Sequence, residues 1–134
     1  MLDRAGRDEL HYAAADNDVV TVKERLDAGV DVDLAERRSG FTPLHFAVQG
    51  GALDTTVALL DAGADIQAPT VPRGASPLHL AVSGWRLNPD GAMIDLLLAR
   101  GADKTAREKN GWTPDDLAKG AFEFPAALAA KLHP

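Results

Sequence analysis

Three histidines recur at a fixed interval, His11, His45 and His79 lying 34 residues apart. Regularly spaced imidazoles could ligate a metal, but zinc ligands must all come within ~2 Å of one ion. Equivalent residues on stacked helices sit ~8–10 Å apart. The interval therefore points to a structural role, each ring hydrogen-bonding within or between loops. Asp16-Asn17-Asp18 and Asp31-Val32-Asp33 offer oxygen ligands but lack the glycine and distal glutamate of a calcium loop. They read as turn and cap residues. Ser39, Ser76 and Ser83 lie in no Gly-x-Ser-x-Gly elbow. The chain has no cysteine, which removes thiolate zinc sites, cysteine nucleophiles and disulfides together. Its glycines follow the histidine interval rather than forming a phosphate-cradling loop. The pair Asp115-Asp116 falls at a helix start, where the macrodipole favours carboxylates. No catalytic, cofactor-binding or metal site is expected, and the chain reads as non-enzymatic.

The elements that carry these residues follow from composition first. The 134 residues are 46% hydrophobic and 25% charged, the balance of a single globular domain spanning 1–134. No run approaches the roughly 18–20 apolar residues of a membrane helix. The N-terminal Met1–Glu9 segment has no apolar stretch, so a soluble, cytoplasmic chain without a membrane partner is expected. The net charge of −6 opposes unspecific nucleic-acid binding. Only 5% of residues are aromatic, while alanine is abundant, as in Ala13-Ala14-Ala15 and Ala126-Ala127-Leu128-Ala129-Ala130. Small residues at this density suggest closely approaching helices.

The chain is self-similar. Gly40-Phe41-Thr42-Pro43-Leu44-His45-Phe46-Ala47-Val48 aligns with Gly74-Ala75-Ser76-Pro77-Leu78-His79-Leu80-Ala81-Val82 at an offset of 34. Leu60-Asp61-Ala62-Gly63-Ala64-Asp65 matches Leu98-Ala99-Arg100-Gly101-Ala102-Asp103 and Leu26-Asp27-Ala28-Gly29-Val30-Asp31. Degenerate copies open at Gly6 and at Gly111. Within a copy, Thr42 and Ser76 are helix N-caps followed by proline at the first helical position, and Asp8 takes that role in the first. Leu44, Ala47 and Val48, like Leu78, Ala81 and Val82, fall at helical spacing. A second helix follows Gly50-Gly51, and Gly63 and Gly101 stand where a helix C-cap needs positive φ.

With its Thr-Pro-Leu-His-x-Ala signature and a period near 33, the sequence resembles the ankyrin repeat family. The resemblance covers residues 6–39, 40–73, 74–110 and 111–134, with the first and last copies acting as caps. It implies an all-α solenoid of stacked helix–turn–helix pairs joined by hairpin-like finger loops. It also implies that partners bind the concave face made by finger tips and inner helices. Transferred to this chain, that face takes in Arg4, Arg7, Arg37, Arg38, Phe41, Gln49, Arg73, Ala75, Ser83, Arg107, Lys109 and Trp112. Eight of the fourteen basic residues lie in or beside fingers, so an acidic chain is expected to carry a basic edge.

Two segments depart from the pattern. Sixteen residues separate Ala47 from Gly63 but twenty separate Ala81 from Gly101, so four extra residues lie within 84–91 of the third copy. Asn88-Pro89-Asp90 reads as a turn that starts a helix. Leu87 is expected to fold back over the helix pair, while Trp85 either folds back or forms a contact site. The finger that follows is one residue shorter than the others. In the last copy Asp115 and Asp116 replace leucine and histidine, and Pro125 is expected to open a closing helix with Leu128 and Leu132 turned inward. Residues after Lys119 are poor candidates for a family-type site.

The expected function is a non-catalytic interaction module, monomeric on its own, that binds a folded partner protein through Arg7, Arg38, Phe41, Gln49, Arg73, Ser83, Trp85, Lys109 and Trp112. Masking or regulating that partner is the simplest mechanism for such a chain. Compact proteins of the resembled family are common in bacteria, some as immunity or antitoxin factors. The alternative is nucleic-acid association along the basic finger edge.

Overall fold

The structure is a computed structural model in which residues 2–134 are described. Among them the chain forms eight α-helices in four antiparallel pairs: α1 (Glu9–Ala15) with α2 (Val19–Asp27), α3 (Pro43–Gln49) with α4 (Leu53–Asp61), α5 (Pro77–Ser83) with α6 (Ala92–Ala99), and α7 (Pro114–Gly120) with α8 (Ala126–Leu132). Helices of seven to nine residues fall short of the ~12–15 needed for marginal stability alone, so they depend on their neighbours. The inner helices α1, α3, α5 and α7 pack in chain order, and the outer helices α2, α4 and α6 follow the same order behind them.

Each inner helix opens on a reciprocal cap. The Thr42 side chain accepts from the His45 N–H, while the Thr42 N–H donates to His45 Nδ1 at 2.9 Å. Ser76 with His79 and Asp8 with His11 repeat the arrangement. The far nitrogen of each ring then bonds the next finger: His11 Nε2 to the Leu34 carbonyl (2.7 Å), His45 to Ala68 (2.7 Å) and His79 to Trp112 (2.8 Å). A backbone N–H can only donate and a carbonyl can only accept. The His45 and His79 rings are therefore neutral, protonated on Nε2, and all three histidines tie an inner helix to the loop beyond it, as the spacing predicts. In the last pair Asp116 exchanges the same two bonds with Thr113.

The fingers are hairpin turns. The Glu36 N–H bonds the Phe41 carbonyl and that of Thr70 bonds Ala75, each closing over five residues. In the last finger the Glu108 N–H bonds Trp112, closing over four, which is where the missing residue falls. Backbone bonds also run from finger to finger: Arg37 N–H to Ala5, Val71 to Ser39 and Lys109 to Arg73. Gly63 and Gly101 follow their helix C-caps with φ of +93° and +92°.

The core runs along the stack. Leu10, Leu44 and Leu78 on inner helices and Val22, Leu59 and Leu97 on outer ones are fully buried, and Ala13, Ala14, Ala47, Ala81 and Ala118 let the inner helices approach. Asp18 caps α2, and Asn17 Oδ1 accepts the Asp54 and Thr55 N–H groups, capping α4 of the next pair. Leu128 and Leu132 are buried as expected, and Lys131 reaches Asp95 at 2.7 Å.

The extra residues of the third pair behave differently from expectation. They form a 3-10 turn, Trp85–Leu87, and α6 starts after Gly91 rather than at Asp90. Trp85 is the residue that packs inward, against Phe124. Leu87 remains 55% exposed, although its Cβ lies over Gly51. Arg86 covers the Trp85 ring at 4.5 Å and donates to the Phe122 carbonyl at 3.2 Å. Asn88 bonds the Gly51 carbonyl at 3.4 Å. The insertion thus bridges the second and fourth pairs.

Candidate protein-binding surface

The inner-helix register sets three columns along the concave face. The finger column holds Arg7, Phe41, Ala75 and Trp112, the residues immediately before each N-cap. Five residues on, the mid-helix column holds Tyr12, Phe46, Leu80 and Leu117. At the far end of the helices stand Ala15, Gln49, Ser83 and Gly120. The mid-helix column is the one the sequence reading misses. Phe46, Leu80 and Leu117 are half-buried and Tyr12 is 44% exposed, in contrast to the enclosed leucines and alanines on the other faces of the same helices. The signal was present: these residues occupy the free position of Leu-His-x-Ala and are bulky and apolar in every copy.

Two hollows open on these columns, lined by the same register positions. One, about 240 Å³, is lined by Arg7, Glu36, Ser39, Phe41, Phe46 and Gln49. The other, about 640 Å³, is lined by Trp112, Asp116, Leu117, Lys119, Gly120 and Ala121. The second extends past Lys119, into residues set aside on sequence grounds. Trp112 is 51% exposed at its edge.

In the first hollow the Arg7 guanidinium lies over the Phe46 ring at 5.0 Å and the Tyr12 ring at 5.7 Å, and its Nε donates to the Glu36 carboxylate. Phe41 meets Phe46 edge on at 5.8 Å and the His45 ring at 5.3 Å. Burial pushes the Glu36 carboxyl up, but the Ser39 hydroxyl at 2.7 Å and the Arg7 guanidinium outweigh it and hold it below the ordinary glutamate range. Glu108 repeats this: burial is outweighed by the Trp112 and Asn110 N–H groups and by Arg73 at 3.3 Å.

These pairings narrow the expected basic edge without removing it. Arg7 and Arg73 face Glu36 and Glu108, so two of the counted guanidiniums are neutralised on the surface. Among the described residues Arg4, Arg37, Arg38 and Lys109 make no ion pair and are exposed. Ser83 and Gln49 stand exposed in the third column. Trp85 is set apart from all of them, in the turn beyond the inner helix and half-buried on Phe124.

Among the described residues no three His, Asp or Glu side chains converge as metal ligands would, and no helix is long and apolar enough to cross a membrane.

The family model for ankyrin repeats, in three copies, covers residues 10–108, and no curated protein matches the chain. Repeats of this kind are generally protein–protein interaction modules and typically non-catalytic. Stacked helix pairs, histidine-braced caps and finger hairpins extend over the matched residues, and the chain belongs to the ankyrin repeat family.

Proposed function

We propose that this chain binds one folded partner protein across its concave face and, by covering that partner's surface, masks or regulates it in the manner of an immunity or antitoxin-type inhibitor. The observation that carries the reading is the pair of hollows built on one register, with bulky apolar side chains at their floors and polar rims. Aromatic residues and arginine are the side chains that dominate interface energetics, and truncating a central one costs ~2 kcal/mol or more. A standard interface covers about 800 Å² per partner. That is a modest share of the 6830 Å² of accessible surface and is compatible with contact along the inner-helix columns. Arg38, Phe41, Gln49, Ser83, Lys109 and Trp112 are the contact residues of this reading, with Phe46 and Leu117 added. Arg7 and Arg73 act through their paired carboxylates rather than as free cations, and Trp85 supports the scaffold. The nucleic-acid alternative loses two of its arginines to the same pairs. Arginine-over-lysine and alanine-rich usage favours a bacterial, cytoplasmic setting for the partner.

The test compares capture of binding proteins from the source cells by the unaltered chain, by a Phe41→Ser, Phe46→Ser, Trp112→Ala variant, and by a variant changed on the outer helices (Lys23→Glu, Asp54→Lys). Circular dichroism checks that each is folded. The reading predicts capture by the first and third and loss by the second. A partner retained by the folded concave-face variant would contradict it.

A further inference from the structure

The hollow between the first two pairs has chemistry enough to define what enters it. At about 240 Å³ it lies below the roughly 300 Å³ at which small-molecule pockets begin, and it has room for a single bulky side chain. Phe41 and Phe46 form its apolar floor, while Gln49 and Ser39 offer polar atoms at the edge. Arg7 and Glu36 are shared with a neighbouring hollow of about 290 Å³, completed by Arg4, Ala5 and Arg38. The two sites therefore adjoin across one ion pair.

Charge around that ion pair is unbalanced. Glu36 is committed to Arg7 and to the Ser39 hydroxyl, and Asp3 to the Tyr12 hydroxyl and the Ala5 and Arg7 N–H groups. Both carboxylates are thus occupied within the fold. Arg4 and Arg38 are exposed and, among the described residues, have no carboxylate within ion-pair distance. Arg37, also unpaired, packs across Gly6 on the same two fingers. Asp8 is likewise held by Arg25, which leaves Arg4, Arg37 and Arg38 without a carboxylate partner among the described residues. The patch stands out on a chain whose net charge is −6.

From this juxtaposition we infer that the partner presents a short acidic segment with one bulky apolar anchor. The anchor fills the Phe41–Phe46 hollow, and Asp or Glu residues beside it reach Arg4 and Arg38. An extended segment advances ~3.3 Å per residue, so adjoining hollows match a carboxylate one or two positions from the anchor. Charge complementarity of this kind steers encounter and fixes register, while the buried anchor supplies most of the affinity. The inference rests on the concave-face reading and narrows it to one partner chemistry.

Three blocked peptides titrated into the full chain, isotope-labelled for amide NMR, test it: Glu-Asp-Phe-Asp-Glu, the same with Ala for Phe, and Lys-Lys-Phe-Lys-Lys. The first is expected to shift the Arg7, Ser39, Phe41 and Gln49 amides in a saturable way. The alanine peptide should bind about tenfold more weakly or less. An Arg4→Glu, Arg38→Glu variant, altered only at exposed side chains, should lose the response while keeping its own spectrum. If the lysine peptide moves the same amides equally well, the acidic partner is refuted and the concave face stands. Shifts confined to α2 and α4, or none with the acidic peptide, overturn the inference outright. The capture comparison then judges the broader reading separately.

Discussion

The Trp85 indole meets the Phe124 ring edge to face, with centroids 5.7 Å apart and planes inclined at 68°. Each residue belongs to a segment that breaks the repeat, one to the insertion of the third pair and the other to the irregular turn of the fourth. The two departures are a matched pair. Arg86 adds its bond to the Phe122 carbonyl and an ion pair with Glu123 at 3.9 Å. The insertion therefore anchors the α7–α8 turn, which follows directly on Gly120 and Ala121 in the lining of the concave hollow at Trp112.

Removing either ring should loosen the last pair selectively. Trp85→Ala and Phe124→Ala are each expected to lower the thermal midpoint and to raise hydrogen exchange in α7 and α8 before α1–α4. Their coupling in a double-mutant cycle should be about 0.5–1.5 kcal/mol, the range for an aromatic pair. Additive losses would show that the rings do not support one another.

Gly91 is the N-cap of α6 at φ +84°, and a Cβ built there would overlap the Leu128 side chain of α8. Gly101 has nearly the same φ, +92°, with nothing within 4 Å of a built Cβ. Gly101→Ala should therefore cost only the left-handed strain of about 1–2 kcal/mol. Gly91→Ala adds overpacking, for a total of about 2–5 kcal/mol. Urea unfolding of the two variants compares them, and equal losses would mean that the Leu128 side chain does not press on Gly91.

Acid should weaken the stack before its carboxylates titrate. Burial depresses the His45 and His79 pKa below the ordinary value, against the opposing pull of their carbonyl partners. The unfolded chain binds these protons near pH 6.5 and the folded chain only at lower pH, so stability is fully present above about 6.5 and falls as pH drops below it. Asp8 acts with the same sign in a lower pH window. The Arg25 side chain, bonded at 2.9 and 3.0 Å, holds it below the usual range. Its contribution is lost only below about pH 4, the unfolded value. Urea midpoints measured from about pH 7.5 to about pH 2.5 should decline in the upper range and then more steeply below about pH 4. A flat profile between 7 and 5 would contradict the neutral-imidazole caps.

Much of this architecture is legible in the sequence because local chemistry repeats. Thr42-Pro43-Leu44-His45 and Ser76-Pro77-Leu78-His79 specify cap, first turn, core and finger brace within four residues, and the structure uses each in that role. The site is less legible, for separable reasons. Phe46 and Leu80 occupy a variable motif position, where apolar character is as compatible with core as with surface. Arg7 and Glu36 are 29 residues apart and Arg73 and Glu108 are 35 apart, so a count of charges along the fingers does not reveal that they neutralise each other. Trp85 and Phe124 lie in two irregular segments with no common register. Only the fold brings them together.

The central claim, that a partner is held on the concave columns, is tested most directly by hydrogen–deuterium exchange of the chain alone and in complex with its captured partner. The account predicts added protection in the fingers and inner helices, residues 36–49 and 108–120, with α2 and α4 unchanged. Protection confined to the outer helices, with the finger and inner-helix amides exchanging as in the free chain, would contradict it.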